Sequence, residues 1–305
     1  MGKITGMTAA PTLAFVKGHG TQNDFVVLED PAVEIDLTVE LVAALCDRPR
    51  GIGADGVLRV ATAGALLAAG VIGELPDGVG ADDWFMDYRN ADGSIAEMCG
   101  NGVRVFAHYL RAAGLVDGDA FPVGSRAGSR SVVVHAVDDT AADVSVAMGR
   151  VRFDGPGGVG VAGLRLTGER VDVGNPHLAC VVADLTPAGL ADLDLTTGVD
   201  LDAREFPHGA NVEILTPLEP ATDGLDFTAH MRVFERGVGE TRSCGTGLVA
   251  AASAGLRAMG RDQGVVGITV PGGAVVVTVA DDAAVLRGPS RLVARGRLLP
   301  EWTAG

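Results

Sequence analysis

No stretch of this chain is long and apolar enough to cross a membrane as a helix. The longest uncharged runs, such as Gly264 to Ala280, are broken by Pro271 and several glycines and stop short of the ~20 apolar residues a span needs. The N-terminus has no basic region leading into a sustained apolar run before a small-residue cleavage site, so it supports no secretory signal and a cytoplasmic location is expected. Positive charge is scarce: 24 lysines and arginines stand against 39 acidic residues, for a net charge of -15 and a pI near 4.7. That balance argues against nucleic acid as a partner, because a phosphate binder needs a basic face. Lysine is nearly missing. Only Lys3 and Lys17 occur, and Lys3 is close to the terminus, so the Schiff base by which many amino-acid racemases hold pyridoxal phosphate has one plausible anchor.

The four cysteines, Cys46, Cys99, Cys180 and Cys244, form no CxxC and no zinc-type pairing with histidine, so no metal site is expected. A cytoplasmic chain of this size neither needs nor readily keeps disulfides, which makes free thiols the default. With 305 residues, 47% of them hydrophobic, there is material for the cores of two domains.

Short β-branched runs separated by Gly, Asp or Pro, such as Ser131 to Val134, Asp143 to Ala147 and Gly273 to Ala280, predict strands joined by tight turns. Helical patterning is strongest over Leu37 to Cys46, Gly102 to Ala113 and Gly247 to Met259. The last is almost wholly small and apolar, and a helix apolar all round should be buried all round. Ala61 to Gly80, rich in Ala and Gly with Pro76, reads as a loop insertion, and Gly155 to Gly160 as lying near a junction between halves.

Two of these helices open alike. Met98-Cys99-Gly100-Asn101-Gly102 and Ser243-Cys244-Gly245-Thr246-Gly247 lie close to half a chain apart. A weaker echo joins Gly20 to Val27 with Gly174-Asn175-Pro176-His177 and the apolar run after it. The repetition predicts an α+β fold of two pseudo-symmetric domains, each a curled, mostly antiparallel sheet around a buried central helix.

A cysteine just before a helix sits among unsatisfied N–H groups at the positive end of the helix dipole, which favours thiolate over thiol. The glycines permit close approach of a ligand. If both turns face one cavity, a substrate carboxylate can accept N–H bonds from two helix ends while its α-carbon lies between two sulfurs. Removing the α-proton builds charge on that carboxylate, where the donors are aimed. One cysteine must then be thiolate and the other thiol, titrating as a coupled pair. A lone buried cysteine is more often a small core residue; two matching turns reverse that preference, while Cys46 and Cys180 lack the turn and read as core.

At these motifs the chain resembles the diaminopimelate epimerase family. The matching blocks run in order from Lys17-Gly18-His19-Gly20 to Asp24-Phe25, then Gly51 to Gly56, Tyr88 to Ser94, Glu97 to Gly102, Gly174 to His177, Asn211-Val212, Glu235 to Glu240 and Cys244 to Gly247. The resemblance implies an active site between two halves, 1–148 carrying Cys99 and completed by 291–305, and 149–290 carrying Cys244. It implies epimerisation of LL-diaminopimelate to the meso form for lysine and peptidoglycan precursor synthesis, without cofactor or metal, by a homodimer. Cys99 and Cys244 become the acid and base, and Gly100-Asn101 and Gly245-Thr246 cradle the reacting carboxylate. Asn23, Asn90, Asn175, Asn211 and Arg236 hold the amine and carboxylate groups, while Glu235 and His177 set the cysteine pKa values.

Plainer readings stand beside these. The asparagines are also common turn caps, Asn90 above all, since it precedes Ala91-Asp92-Gly93. His177 follows a proline as a turn residue would, and Glu235-Arg236 is also an ordinary surface pair. Gly56 departs from relatives that place a substrate-binding glutamine there, and His19 and Thr21-Gln22 vary the first block. A proline or hydroxyproline racemase of the same fold is the nearest rival; it would have no distal group for Asn23, Asn90, Asn211 and Arg236 to hold. A binding or redox protein with a switchable Cys99–Cys244 disulfide is the rival from another class.

Overall fold

The structure is a computed structural model that describes residues 13–281, 283–299 and Trp302. Lys3, the first residues of the expected 1–148 half and most of 300–305 lie outside the described residues. In chain order the first unit is β1 (Ala14–Gly20), β2 (Asn23–Glu29), α1 (Val39–Cys46), β3 (Gly56–Thr62), α2 (Ala63–Ala68), β4 (Trp84–Asn90), α3 (Gly100–Ala112), β5 (Ala120–Ser125), β6 (Gly128–Val137) and β7 (Ala141–Arg150). The second opens with β8 (Arg152–Val161), β9 (Leu164–Asp172), β10 (Pro176–Val181), α4 (Pro187–Ala191), β11 (Val199–Leu201), β12 (Asn211–Leu215) and β13 (Glu219–Pro220). It continues through β14 (Phe227–Glu235), β15 (Gly239–Thr241), α5 (Gly245–Ala258), β16 (Gly264–Val270), β17 (Gly273–Ala280) and the long β18 (Ala283–Arg297).

The strand pairings repeat. In the first unit β1 and β2 are antiparallel, β2 and β3 parallel, β3 and β4 antiparallel, β4 and β5 parallel, and β5, β6 and β7 a meander. In the second, β9–β10, β10–β12, β12–β14, β14–β16 and β16–β17–β18 follow the same sequence of senses. β18 serves both units: its first residues pair with β17, the stretch to Arg291 pairs with β7, and Arg291 to Arg297 pairs with β1. That last pairing joins β7 to β1 and closes the first sheet around α3. The α+β architecture of two curled, mainly antiparallel sheets, each around one central helix, is the one the repeated motifs predict.

Both central helices begin at the glycine after the cysteine, two residues earlier than the hydrophobic pattern indicates. Cys99 (φ -142, ψ 117) and Cys244 (φ -122, ψ 118) are the N-caps, extended residues that turn the chain into the helix. Every residue of α5 from Gly245 to Leu256 is buried. Leu248, Val249 and Leu256 contribute about 1.5–3 kcal/mol each by leaving water, and the alanines let the sheet approach closely. α3 is buried from Gly100 to Leu110 although it carries Asn101, Arg104 and His108.

One sequence expectation is corrected in part. Ala61 to Gly80 is a loop only from residue 69 onward: it first finishes β3 and forms α2 behind an N-cap at Thr62, and the segment buries Leu66, Ile72 and Val79 against Phe85. Alanine is the best helix former, and enough apolar residues are interleaved to give that helix something to cover. Gly155 to Gly160 lies close to the junction, inside β8, the first strand of the second unit, where a Cβ on Gly157 would crowd Arg170, Leu178 and Phe206 at 3.0–3.1 Å. Gly157 there serves close packing inside the second sheet.

Candidate active site

The N-termini of α3 and α5 meet head to head. A Cβ on Gly245 would lie 3.0 Å from the Cα of Gly100 and 3.3 Å from the amide nitrogen of Asn101, so the two Cys-Gly-X-Gly turns are in direct contact. A polar chain sews them together. Asn101 Nδ2 donates to the carbonyl oxygen of Ser243 at 3.1 Å, and the Ser243 and Thr21 hydroxyls share a hydrogen bond of 2.7 Å. Thr21 and Gln22 form the two-residue turn between β1 and β2, both with positive φ (48 and 63), the geometry a tight hairpin requires. A β-branched residue there is strained. Thr21 keeps it while its hydroxyl also accepts from Arg104 Nη2 at 3.1 Å.

Cys99 is half-buried; its sulfur accepts from the Gly102 N–H at 3.4 Å and touches Asn23 Oδ1 at 3.5 Å. Burial pushes this thiol up to about 11, against the pull of the Gly102 and Asn101 N–H groups and the Arg104 cation. Cys244 is buried, its sulfur 3.6 Å from the Thr246 hydroxyl. Burial again dominates and holds it well above the ordinary thiol value, and the Glu235 and Glu213 carboxylates raise it further. Burial also raises the Glu235 carboxyl, which accepts hydrogen bonds from Thr241 and Cys244. All four cysteines are free.

The remaining sequence-selected residues fall into two groups. Asn23, Asn101, Asn175 and Thr246 gather at the paired helix ends: Asn101 Nδ2 donates to Asn23 Oδ1 at 3.3 Å, and Asn175 Nδ2 to the Thr246 hydroxyl at 3.4 Å. Asn211, Arg236 and Asn90 lie at the ends of β12, β14 and β4. Asn211 accepts the Arg236 N–H at 2.9 Å, and the Arg236 guanidinium is exposed, bonded to the His208 carbonyl at 3.3 Å, with no ion pair among the described residues. Asn90 bonds Ser94 within its own turn, as a turn-forming asparagine would. Gly56 cannot carry a side chain, because a Cβ there would lie 2.5 Å from the Arg89 carbonyl and 2.6 Å from the Tyr88 ring. Lys17 is committed to Asp24 at 2.6 Å and to the Gly53 carbonyl.

Sequence reasoning passed over Glu213 and Arg104. Glu213, fully buried in β12, holds His177 Nδ1 at 2.8 Å, while His177 Nε2 meets Asn175 Oδ1 at 3.0 Å. An acidic residue inside the apolar strand Asn-Val-Glu-Ile-Leu was the available signal. Arg104 offered none, since an arginine in an amphipathic helix ordinarily points to water.

The fold is that of a class of two-domain proteins joining phenazine-biosynthesis proteins with epimerases and racemases. A Bacillus anthracis phenazine biosynthesis protein of the PhzF family superposes with a TM-score of 0.67 at 14% identity, over 95% of this chain and 99% of that one. A hydroxyproline epimerase from Agrobacterium vitis does so with a TM-score of 0.62 at 16% identity, over 94% and 92%. Within that class the sequence is specific. The sequence model described as diaminopimelate epimerase matches residues 15–153 and 170–293, and the diaminopimelate epimerase of Rhodococcus opacus (strain B4) is 61% identical over 291 residues, 95% of this chain and 99% of the relative. The chain belongs to the diaminopimelate epimerase family and is an isomerase. Among the described residues, no helix is long and apolar enough to cross a membrane.

Proposed function

We propose that the protein epimerises LL-diaminopimelate to meso-diaminopimelate through Cys99 and Cys244, with no cofactor and no metal. The observation that carries this reading is the meeting of two helix N-termini, each capped by a cysteine. The substrate follows from the family and from relatives named for it. The reacting carboxylate sits over the N–H groups of Gly100-Asn101 and Gly245-Thr246. One thiolate takes the α-proton; the electrons of the C–H bond remain on the α-carbon and spread into the carboxylate, where those N–H groups stabilise them. The opposite thiol delivers its proton to the other face. The centre inverts, and the negative charge moves from one sulfur to the other.

In this reading Asn23, Asn90, Asn175, Asn211 and Arg236 hold the amine and the distal carboxylate, and His177 and Glu235 tune the pair. Arg236 suits a carboxylate because its planar fork is exposed and meets no competing acid among the described residues. The working halves are 1–148 with 291–305, and 149–290, acting as a cytoplasmic homodimer in lysine and peptidoglycan precursor synthesis. Proton NMR of LL-diaminopimelate with the reduced protein in D2O, with chelator and without pyridoxal phosphate, tests the reading. Deuterium should enter at the inverted α-carbon as the meso form appears. Exchange of proline or hydroxyproline instead would replace the substrate, and exchange of none of them would remove the enzyme reading.

A further inference from the structure

Arg104 is a fully buried guanidinium with no carboxylate at ion-pair distance among the described residues. Its three hydrogen bonds go to neutral oxygens: the Thr21 hydroxyl at 3.1 Å, the Pro289 carbonyl at 3.3 Å and the Gly100 carbonyl at 3.4 Å. Burying a cation without an anion is costly, and this one lies one turn into the helix that Cys99 caps. The equivalent residue after Cys244 is Val249, and the second turn instead has Glu213 beneath it. A Cβ on Gly247 would lie 2.5 Å from Glu213 Oε1, whereas the matching Gly102 faces Leu58 at 3.5 Å. The other Glu213 oxygen is buried with no hydrogen-bond partner. One cysteine turn rests on a cation that has no ion pair among the described residues and feels Cys99 and, less strongly, the Asp143 carboxylate, the other on an incompletely paired carboxylate.

We propose that Arg104 and Glu213 are positioning residues that fix the order in which the two thiols give up their protons: Cys99 becomes the thiolate first and Cys244 stays the thiol. This rests on the two-cysteine reading and deepens it. Arg104 supplies the countercharge that a Cys99 thiolate needs in a dry site, together with the Gly102 N–H. Cys244 keeps its proton, which it donates to the Glu235 carboxylate. The charged and titratable groups facing Cys99 are Arg104 from α3, Glu235 from β14 and Tyr88 from β4; those facing Cys244 are Glu235 and Glu213. Apart from the neutral Tyr88 beside Cys99, the difference between the two sites is Arg104 on one side and Glu213 on the other, with Glu235 common to both. The contact of Cys99 with Asn23 Oδ1 at 3.5 Å belongs to the protonated form and is exchanged for N–H bonds when the proton leaves.

The test follows iodoacetamide alkylation of each cysteine by mass spectrometry across pH 7–12 in the full chain, reading the midpoint of the rate against pH rather than the plateau, which also reflects access. In the unaltered protein the Cys99 midpoint should lie about one pH unit or more below that of Cys244. Arg104→Gln should raise the Cys99 midpoint by about one unit and leave Cys244 in place, with Arg104→Lys restoring it. Glu213→Gln should lower the Cys244 midpoint. If Arg104→Gln does not fold, the unaltered protein and Glu213→Gln still decide. A Cys244 midpoint at or below that of Cys99, or a folded Arg104→Gln with an unmoved Cys99, overturns the proposal. Failure of the two-cysteine reading looks different: turnover would survive in Cys99→Ala or Cys244→Ala.

Discussion

Phe25, Leu58 and Arg104 stand around the first cysteine turn where His177, Glu213 and Val249 stand around the second. Phe25 pairs with Gly56 across β2 and β3 as His177 pairs with Asn211 across β10 and β12, and Leu58 and Glu213 follow at the same step along their strands. The backbone of one half repeats the other, down to extended cysteine N-caps. The side chains beneath have diverged in charge. The repeat sets two cysteine-capped helix N-termini against each other, but two identical ends would hold both thiols alike. Under the proposed mechanism, opposite buried charges would let one cavity keep a thiolate and a thiol together.

The sharpest way to break this comparison is to remove one sulfur at a time. Cys99→Ala and Cys244→Ala should each lower turnover by at least roughly 10²–10⁴-fold, the scale of a lost general acid or base, measured as α-proton exchange in D2O. If one variant kept a tenth or more of the activity, the two turns would not be partners. The next largest effect lies under the second turn. Glu213→Leu gives that turn the residue of the first and leaves His177 Nδ1 without its partner, which should cost roughly 1–3 kcal/mol in urea unfolding for an unsatisfied buried group. Adding His177→Phe should recover much of that loss, because the pair is then replaced by the apolar pair of the other half. A double variant no more stable than the single one would mean that the His177–Glu213 contact is not what the second half relies on.

The fold and the two cysteines could be read from the sequence because repetition and glycine are local signals. Met98 to Gly102 and Ser243 to Gly247 announce themselves without any knowledge of contacts. Arg104, Glu213 and the Ala61 to Gly80 segment could not be read that way, since burial of a charge or a covering helix depends on what packs from the far side. Arg104 is enclosed by the Thr21 turn and by Pro289, both distant in sequence, and α2 is held by Phe85 across the sheet. Asn90 was ambiguous for the opposite reason, because its own turn satisfies its side chain.

A single methyl group can sharpen the comparison further. Gly102→Ala meets only ordinary contacts, 3.4 Å from the Cys99 Cβ and 3.5 Å from Leu58, so the gain in helix propensity should leave stability unchanged or improved by up to about 1 kcal/mol. Gly247→Ala drives its methyl to 2.5 Å from Glu213 and should destabilise by roughly 1–3 kcal/mol. Equal effects at these equivalent positions would show that the carboxylate has room to withdraw, and the asymmetry beneath the turns would lose its structural basis.

The smallest effect concerns charges at the outer edge of the first half alone. Asp24 takes hydrogen bonds from Lys17 and Arg48, and Arg48 also reaches Asp55, while the corresponding positions of the second half are Pro176 and Ala210. Burial would raise the Asp24 carboxyl, but the Arg48 and Lys17 donors outweigh it and hold it near 2 rather than 3.8. A depressed carboxylate contributes stability above its unfolded pKa and loses it as pH falls through the folded value, so this contribution is complete above about pH 4 and gone near pH 2. Asp55, raised chiefly by burial, works in the opposite sense and flattens the slope. With solvent screening, the net is on the order of 1 kcal/mol. Urea midpoints should therefore fall between pH 4 and 2 more steeply in the unaltered protein than in Asp24→Asn. Parallel curves would mean that the Lys17–Asp24–Arg48 cluster adds nothing to the first half, leaving the buried charges at the cysteine turns as the electrostatic difference that matters between the two units.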